Sequence, residues 1–116
     1  MQRDPRAFLW DVRDAADAIT KFVGDTDFDD YIANRMLHSA VERKLEIIGE
    51  ALNQLSKAEP VLAARIPELP KIVAFRNLLI HGYAVIDHSR VWRIVIESLP
   101  TLRKMAATLL DEMGEA

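Results

Sequence analysis

The chain has no cysteine, which excludes a disulfide framework and thiolate metal sites and fits a reducing compartment; the expectation is a cytoplasmic protein. It has no excess of positive charge. Fifteen Lys and Arg stand against 18 Asp and Glu, a formal net charge of −3, so the broad basic face of a general nucleic-acid binder is missing and any such contact has to be local. Long uncharged apolar runs are missing too: Met1 is followed by Gln2-Arg3-Asp4-Pro5-Arg6 and then by an interrupted pattern, which predicts neither a targeting segment nor a membrane span. Histidine is scarce. With only His38, His81 and His88, and with no H-E-x-x-H or Glu-x-x-His, a zinc-protease or di-iron site is not expected, and no metal or other cofactor is predicted. There is no Ser-His-acid set, no glycine-rich phosphate loop, no heptad array and no internal repeat.

What is present is the material of a folded domain. Half of the 116 residues are hydrophobic and 28% are charged, which sets the chain apart from disordered sequences and predicts one domain over residues 1–116. Pro5 stands where a first helical turn begins, and Phe8, Val12, Ala15, Ala16, Ile19, Phe22 and Val23 recur at helical spacing up to Gly24. Thr26-Asp27 offers capping oxygens to a longer helix from about Asp29 to Ser56, striped by Leu37, Val41, Leu45, Ile48, Leu52 and Leu55. Pro60, Pro67 and Pro70 mark a connector with one helical turn at Val61–Arg65. A third helix starts at Pro70 and ends at Gly82, suited to a left-handed cap; a fourth follows Asp87 from His88 to Glu97. The chain should then break near Ser98, before Pro100, and restart as a last helix to about Met113. With no strand signal, the prediction is an all-α up-and-down bundle of about five helices.

The third helix carries the information. Between Ile72 and Ile80 only Arg76 and Asn77 are not apolar, so this helix needs cover on several sides, more than one small bundle supplies. On a helical wheel Arg76 falls in the apolar sector between Ile72 and Ile80, while Asn77 and His81 share the neighbouring face. An unpaired buried guanidinium costs several kcal/mol as an order of magnitude, so Arg76 needs a carboxylate, a subunit boundary or an anionic ligand. Glu42, Glu46 and Glu50 lie beside the long helix's stripe, and Gly49 would let a second helix approach closely.

Two readings follow. In the first, Arg76 is a structural ion pair to Glu42 or Glu46, and His81 merely ends its helix. In the second, Arg76, His81 and Tyr83 join a fixed cation, a group that titrates near neutral pH and a phenol, with Asn77 and Glu46 as supporting or orienting residues. The second set suits RNA cleavage without a metal: the 2′-hydroxyl attacks the neighbouring phosphate, helped by an acid or base near pH 7 and a cation for the charge on the phosphoryl oxygens. DNA lacks that hydroxyl. On a regular helix Arg76 and His81 point about 140° apart, so a twofold dimer is the arrangement that brings copies of both into one cleft, and it would also cover the second apolar side. Trp10 and Trp92 read as packing residues, His38 as an interior or interface histidine and His88 as a surface one.

The segment Arg76-Asn77-x3-His81-x-Tyr83 resembles the R-x4-H-x-Y signature of HEPN-domain toxins, the HepT or DUF86 family. Ala40–Arg43 with Glu46–Ala51, Ile86-Asp87 with Val91-Trp92, and Leu99-Pro100-x-Leu102 resemble further stretches of that family, so the likeness spans roughly residues 5 to 110. It implies a homodimeric, HEPN-type helical ribonuclease that needs no metal and leaves 2′,3′-cyclic phosphate ends, with Arg76 and His81 catalytic. It further implies a toxin neutralised by a partner nucleotidyltransferase that transfers AMP to Tyr83. The alternative it leaves open is a non-catalytic HEPN subunit that binds a nucleotide or substrate for a separate nucleotidyltransferase.

Overall fold

A computed structural model describes residues 3–81 and 86–114, and every regular element among the described residues is helical. Helix α1 (Pro5–Val23) begins as its pattern predicts. The Asp4 carboxylate accepts the Arg6 backbone N–H, Pro5 takes a first-turn position that needs no donor, and Gly24 ends the helix at φ +50°, a backbone conformation costly for residues with a Cβ.

The predicted second helix is two helices. Asp27 caps α2 (Phe28–Ala33) by accepting the Asp30 N–H, and α3 (Arg35–Ala58) starts afresh after Asn34, whose backbone is extended. The Asn34 side chain accepts the Leu37 N–H at 3.0 Å. Asparagine competes for backbone hydrogen bonds and so favours a cap over a helix interior; the apolar stripe, which begins at Leu37, carries no trace of the interruption. The connector holds one short helix, α4 (Pro60–Ala63), and α5 (Leu69–His81) opens one residue before Pro70. The expected glycine cap at Gly82 and the signature tyrosine Tyr83 lie outside the described residues.

Asp87 caps α6 (His88–Arg93) as predicted, accepting the Ser89 and Arg90 N–H groups. The predicted break near Ser98 does not occur. The helix instead passes through a wide turn over Ile94–Ser98, in which the Leu99 N–H bonds the Ile94 carbonyl five residues back, and continues as α7 (Leu99–Glu112). One residue more per turn accommodates Pro100, which has no N–H to contribute and would otherwise clash with the preceding turn.

Helix α3 lies at the centre, packed against α1 on one side and α5 on another, and α7 packs on α1. Val41, Leu45, Ile48, Leu52 and Leu55 of α3 are buried with Leu9, Val12 and Ile19 of α1 and Leu102, Leu109 and Leu110 of α7. From α5 come Ile72, Phe75 and Leu79, while its Leu78 and Ile80 stay 48% and 38% exposed. Among the described residues, this apolar helix is therefore left uncovered at Leu78 and Ile80. No helix among the described residues is long and apolar enough to cross a membrane.

The contact of α3 with α5 is set by Gly49. A Cβ built on Gly49 would stand 2.2 Å from the Arg76 Cβ and 2.7 Å from its Cγ, so only glycine allows the two helices this separation. Substituting alanine should gain up to about 1 kcal/mol of helix propensity but lose more to overpacking, on the order of 1–3 kcal/mol. Gly49→Ala is expected to lower the melting temperature by several degrees in calorimetry; an unchanged or higher Tm would show that the helices separate at no cost.

Candidate active site

Arg76 reaches from α5 into a cleft of 640 Å³ between α1, α3 and α5. Its Nη2 donates to the Glu50 carboxylate in a short ion pair, and its Nη1 donates to the Asn77 side-chain oxygen at 2.7 Å. Nε is buried and makes no hydrogen bond. The partner carboxylate thus differs from those first expected. Because Gly49 abuts the Arg76 Cβ, the guanidinium lands on the next residue, Glu50, rather than on Glu42 or Glu46. Glu46 lines the same cleft, and Asn77 spends its oxygen on Arg76.

The cleft is more basic than the chain. Arg3, Arg43, Lys57 and Arg76 line it against Asp11, Glu46 and Glu50, one positive charge in excess where the whole chain carries −3. Fixed cations around a concave surface focus the field on an anion there. Two further cations of this region are engaged outside the cleft: Lys71 donates to Ser98 and faces Glu68, and Arg90 lies over the Phe75 ring, 5.2 Å from its centroid. Trp92 is a packing residue, as its place in the pattern predicts, set on Phe28 and Tyr31 with ring centroids 6.0 and 5.1 Å away.

His81 is the last residue of α5 and is exposed. It follows Arg76 by five positions on a regular helix, so within one chain the imidazole and the guanidinium face different directions. Ile80, at the cleft rim, stands between the two in sequence.

A second polar cluster was not foreseen. Glu42 and His38, one turn apart on α3, meet His88 at the start of α6: the Glu42 Oε2 is 3.8 Å from His38 Nδ1 and 3.7 Å from His88 Nδ1. The imidazoles are 4.4 Å apart between ring centroids, and Tyr31, fully buried, sets its ring edge toward both. Glu42 is therefore no part of a solvated acidic face, and His88 is half-buried rather than a surface residue. Burial raises the Glu42 carboxyl above the usual carboxylate range, partly offset by His88, and burial lowers His38, reinforced by His88 and Arg35. The i, i+4 spacing of His38 and Glu42 was the available signal; nothing in the pattern placed His88 beside them.

With this geometry in view, the comparisons are decisive for family. The chain matches the family described as ribonuclease HepT-like over residues 12–109. It belongs to that family. A Methanocaldococcus jannaschii protein named as a candidate RNase is 38% identical over 105 residues, covering 89% of this chain and 94% of that protein. A second such protein of the same organism is 31% identical over 116 residues, covering 98% and 97%. A Thermococcus cleftensis protein provisionally named ribonuclease HepT is 35% identical over 106 residues, covering 89% and 93%. No solved structure matches the chain significantly. The HepT-like relationship fits the all-helical architecture and runs across the Arg76 and His81 positions.

The Arg76–Glu50 pair is half open to solvent, with side chains 22% and 44% exposed, so its worth as a structural bond is small. A double-mutant cycle with Arg76→Gln and Glu50→Gln, followed by chemical denaturation, should give a coupling of about 0.2–1 kcal/mol. A coupling of several kcal/mol would mean that the pair exists to hold the fold.

Proposed function

We propose that this HepT-like chain is an RNA endonuclease that cuts without a catalytic metal, with Arg76 and His81 as its catalytic residues. What supports the reading is the placing of Arg76: a partly buried cation, weakly tied to one carboxylate, in a locally basic cleft of an otherwise acidic chain. A structural ion pair needs neither the cleft nor the surrounding Arg3, Arg43 and Lys57. An RNA phosphate would bind there by exchanging with the Glu50 carboxylate on Arg76, and phosphate suits the fork of guanidinium donors.

In the cleavage step the 2′-oxygen bonds to phosphorus and the 5′-oxygen leaves, giving a 2′,3′-cyclic phosphate and a 5′-hydroxyl. The proton lost by the 2′-hydroxyl and the one gained by the leaving oxygen pass through His81, while Arg76 stabilises the charge on the non-bridging oxygens. Because the two side chains diverge along α5, the working cleft takes these groups from two copies related by a twofold axis. The exposed Leu78 and Ile80 on the same helix would be covered by that association.

The biological reading is a toxin held in check by a partner nucleotidyltransferase. Tyr83 lies two residues beyond His81, so an AMP placed on its phenol would add a bulky anion near the imidazole and compete with RNA phosphate.

The test is cleavage of bulk RNA by the purified chain in a chelator, with folded variants alongside. His81→Ala should lower kcat by about 10²- to 10⁴-fold and Arg76→Ala by about 10²- to 10³-fold, and a 2′-deoxy substitution at the cut should abolish the reaction. Failure of the dimeric, unmodified chain to cut any of several RNA classes would turn the assignment to a non-catalytic subunit that binds a nucleotide or substrate.

A further inference from the structure

The cluster of His38, Glu42 and His88 takes no part in the proposed cleavage chemistry, yet its surroundings are costly as they stand. Glu42 Oε2, His88 Nδ1 and the Tyr31 hydroxyl are all buried and make no hydrogen bond among the described residues. A buried polar atom left without a partner costs on the order of 1–3 kcal/mol, and three of them converge on one spot. Both imidazole Nδ1 atoms face the same carboxylate oxygen, and the three ligand-type atoms lie within 4.8 Å of one another.

We propose that His38, Glu42 and His88 form a binding site for a divalent transition metal of the zinc type, tying α3 to the start of α6. The chemistry of the donor set fits: two imidazole nitrogens and one carboxylate oxygen are a known zinc triad, leaving a fourth position for water. The geometry fits as well. Bonds of 2.0–2.2 Å in a tetrahedral site put ligand atoms roughly 3.3–3.6 Å apart. The observed 3.7 and 3.8 Å need a few tenths of an ångström of closure, and the imidazole-to-imidazole pair, within 4.8 Å, up to roughly 1.5 Å, within reach of rotations of half-buried side chains. A dication would also offset the cost of the buried Glu42 carboxylate oxygen that has no hydrogen bond among the described residues. Tyr31, whose buried ring packs against both imidazoles, is a donor suited to orient that carboxylate.

The site joins two successive turns of one rigid helix to the first residue of another. The ion's role is accordingly to fix where α6 begins, and it supplies no group to the phosphate.

The test uses the full chain, stripped with a chelator and titrated with Co²⁺ or Zn²⁺ alone. One equivalent of Co²⁺ per chain should bind with the intense visible absorption of a four-coordinate ion, and Zn²⁺ should raise the Tm. His38→Gln, Glu42→Gln and His88→Gln should each weaken binding by at least ~100-fold, beyond the loss typical of a residue that only supports a ligand, whereas His81→Gln should bind like the parent. Absence of binding by the folded parent, or binding that survives His88→Gln, overturns the site and leaves a proton shared among the three groups. Should the variants not fold, X-ray absorption of the zinc-loaded parent decides: a first shell with two imidazoles supports the assignment and one with fewer refutes it.

Discussion

The close approach of α3 and α5 at Gly49 is the constraint from which the candidate site follows. Arg76 places its Cβ and Cγ where any side chain at position 49 would lie, so the base of the arginine is clamped against backbone while its guanidinium is left to reach outward along α3. That clamp selects Glu50 as partner and orients the guanidinium at the cleft. A flexible arginine on an open helix would lose rotamer freedom on meeting a phosphate; one already restricted at Cβ and Cγ loses less, which is what preorganisation means for a charged ligand site.

Charge is handled locally. The chain as a whole repels a polyanion weakly, but the cleft gathers four cations against three carboxylates, and one of those carboxylates is the very group that occupies Arg76. Glu50 therefore acts on both sides of the balance: it satisfies the guanidinium in the free protein, and it is the group a phosphate must replace. Since the pair is partly exposed, the exchange does not require stripping a fully buried charge, and the barrier to it stays small.

Much of this was legible in the residues, for identifiable reasons. The α3 stripe from Val41 to Leu55 and the α1 stripe from Phe8 to Val23 are strongly periodic, and their burial is as the periodicity predicts except at Phe22, which stays 42% exposed beside the buried Val23. Gly49 could be read because a glycine inside a helix has few other uses. The break at Asn34 and the wide turn before Pro100 could not, since both are local backbone choices made without disturbing the apolar pattern. The same limit applied to the site. Arg76's need for an anion followed from its place among apolar neighbours, but the identity of the carboxylate depended on a contact of a few ångströms, and the nearness of His88 to Glu42 depended on how α6 docks across 46 residues of chain.

The carboxylates Glu42, Glu46 and Glu50 bring these threads together. They recur every four residues on α3, about 6 Å apart along the axis, and each serves a different neighbour. Glu50 meets α5 through Arg76, Glu46 lines the cleft, and Glu42 meets α6 through His88. One edge of a rigid helix thus holds α5 at its Arg76 turn and α6 at its first residue. Between them run the six residues from Gly82 to Asp87, among which is Tyr83. A short segment whose two flanking helices are both fixed to the same helix has the distance between its ends set by that helix, so the positions of Arg76 and His81 on one side of it and of His88 on the other are governed by packing on α3.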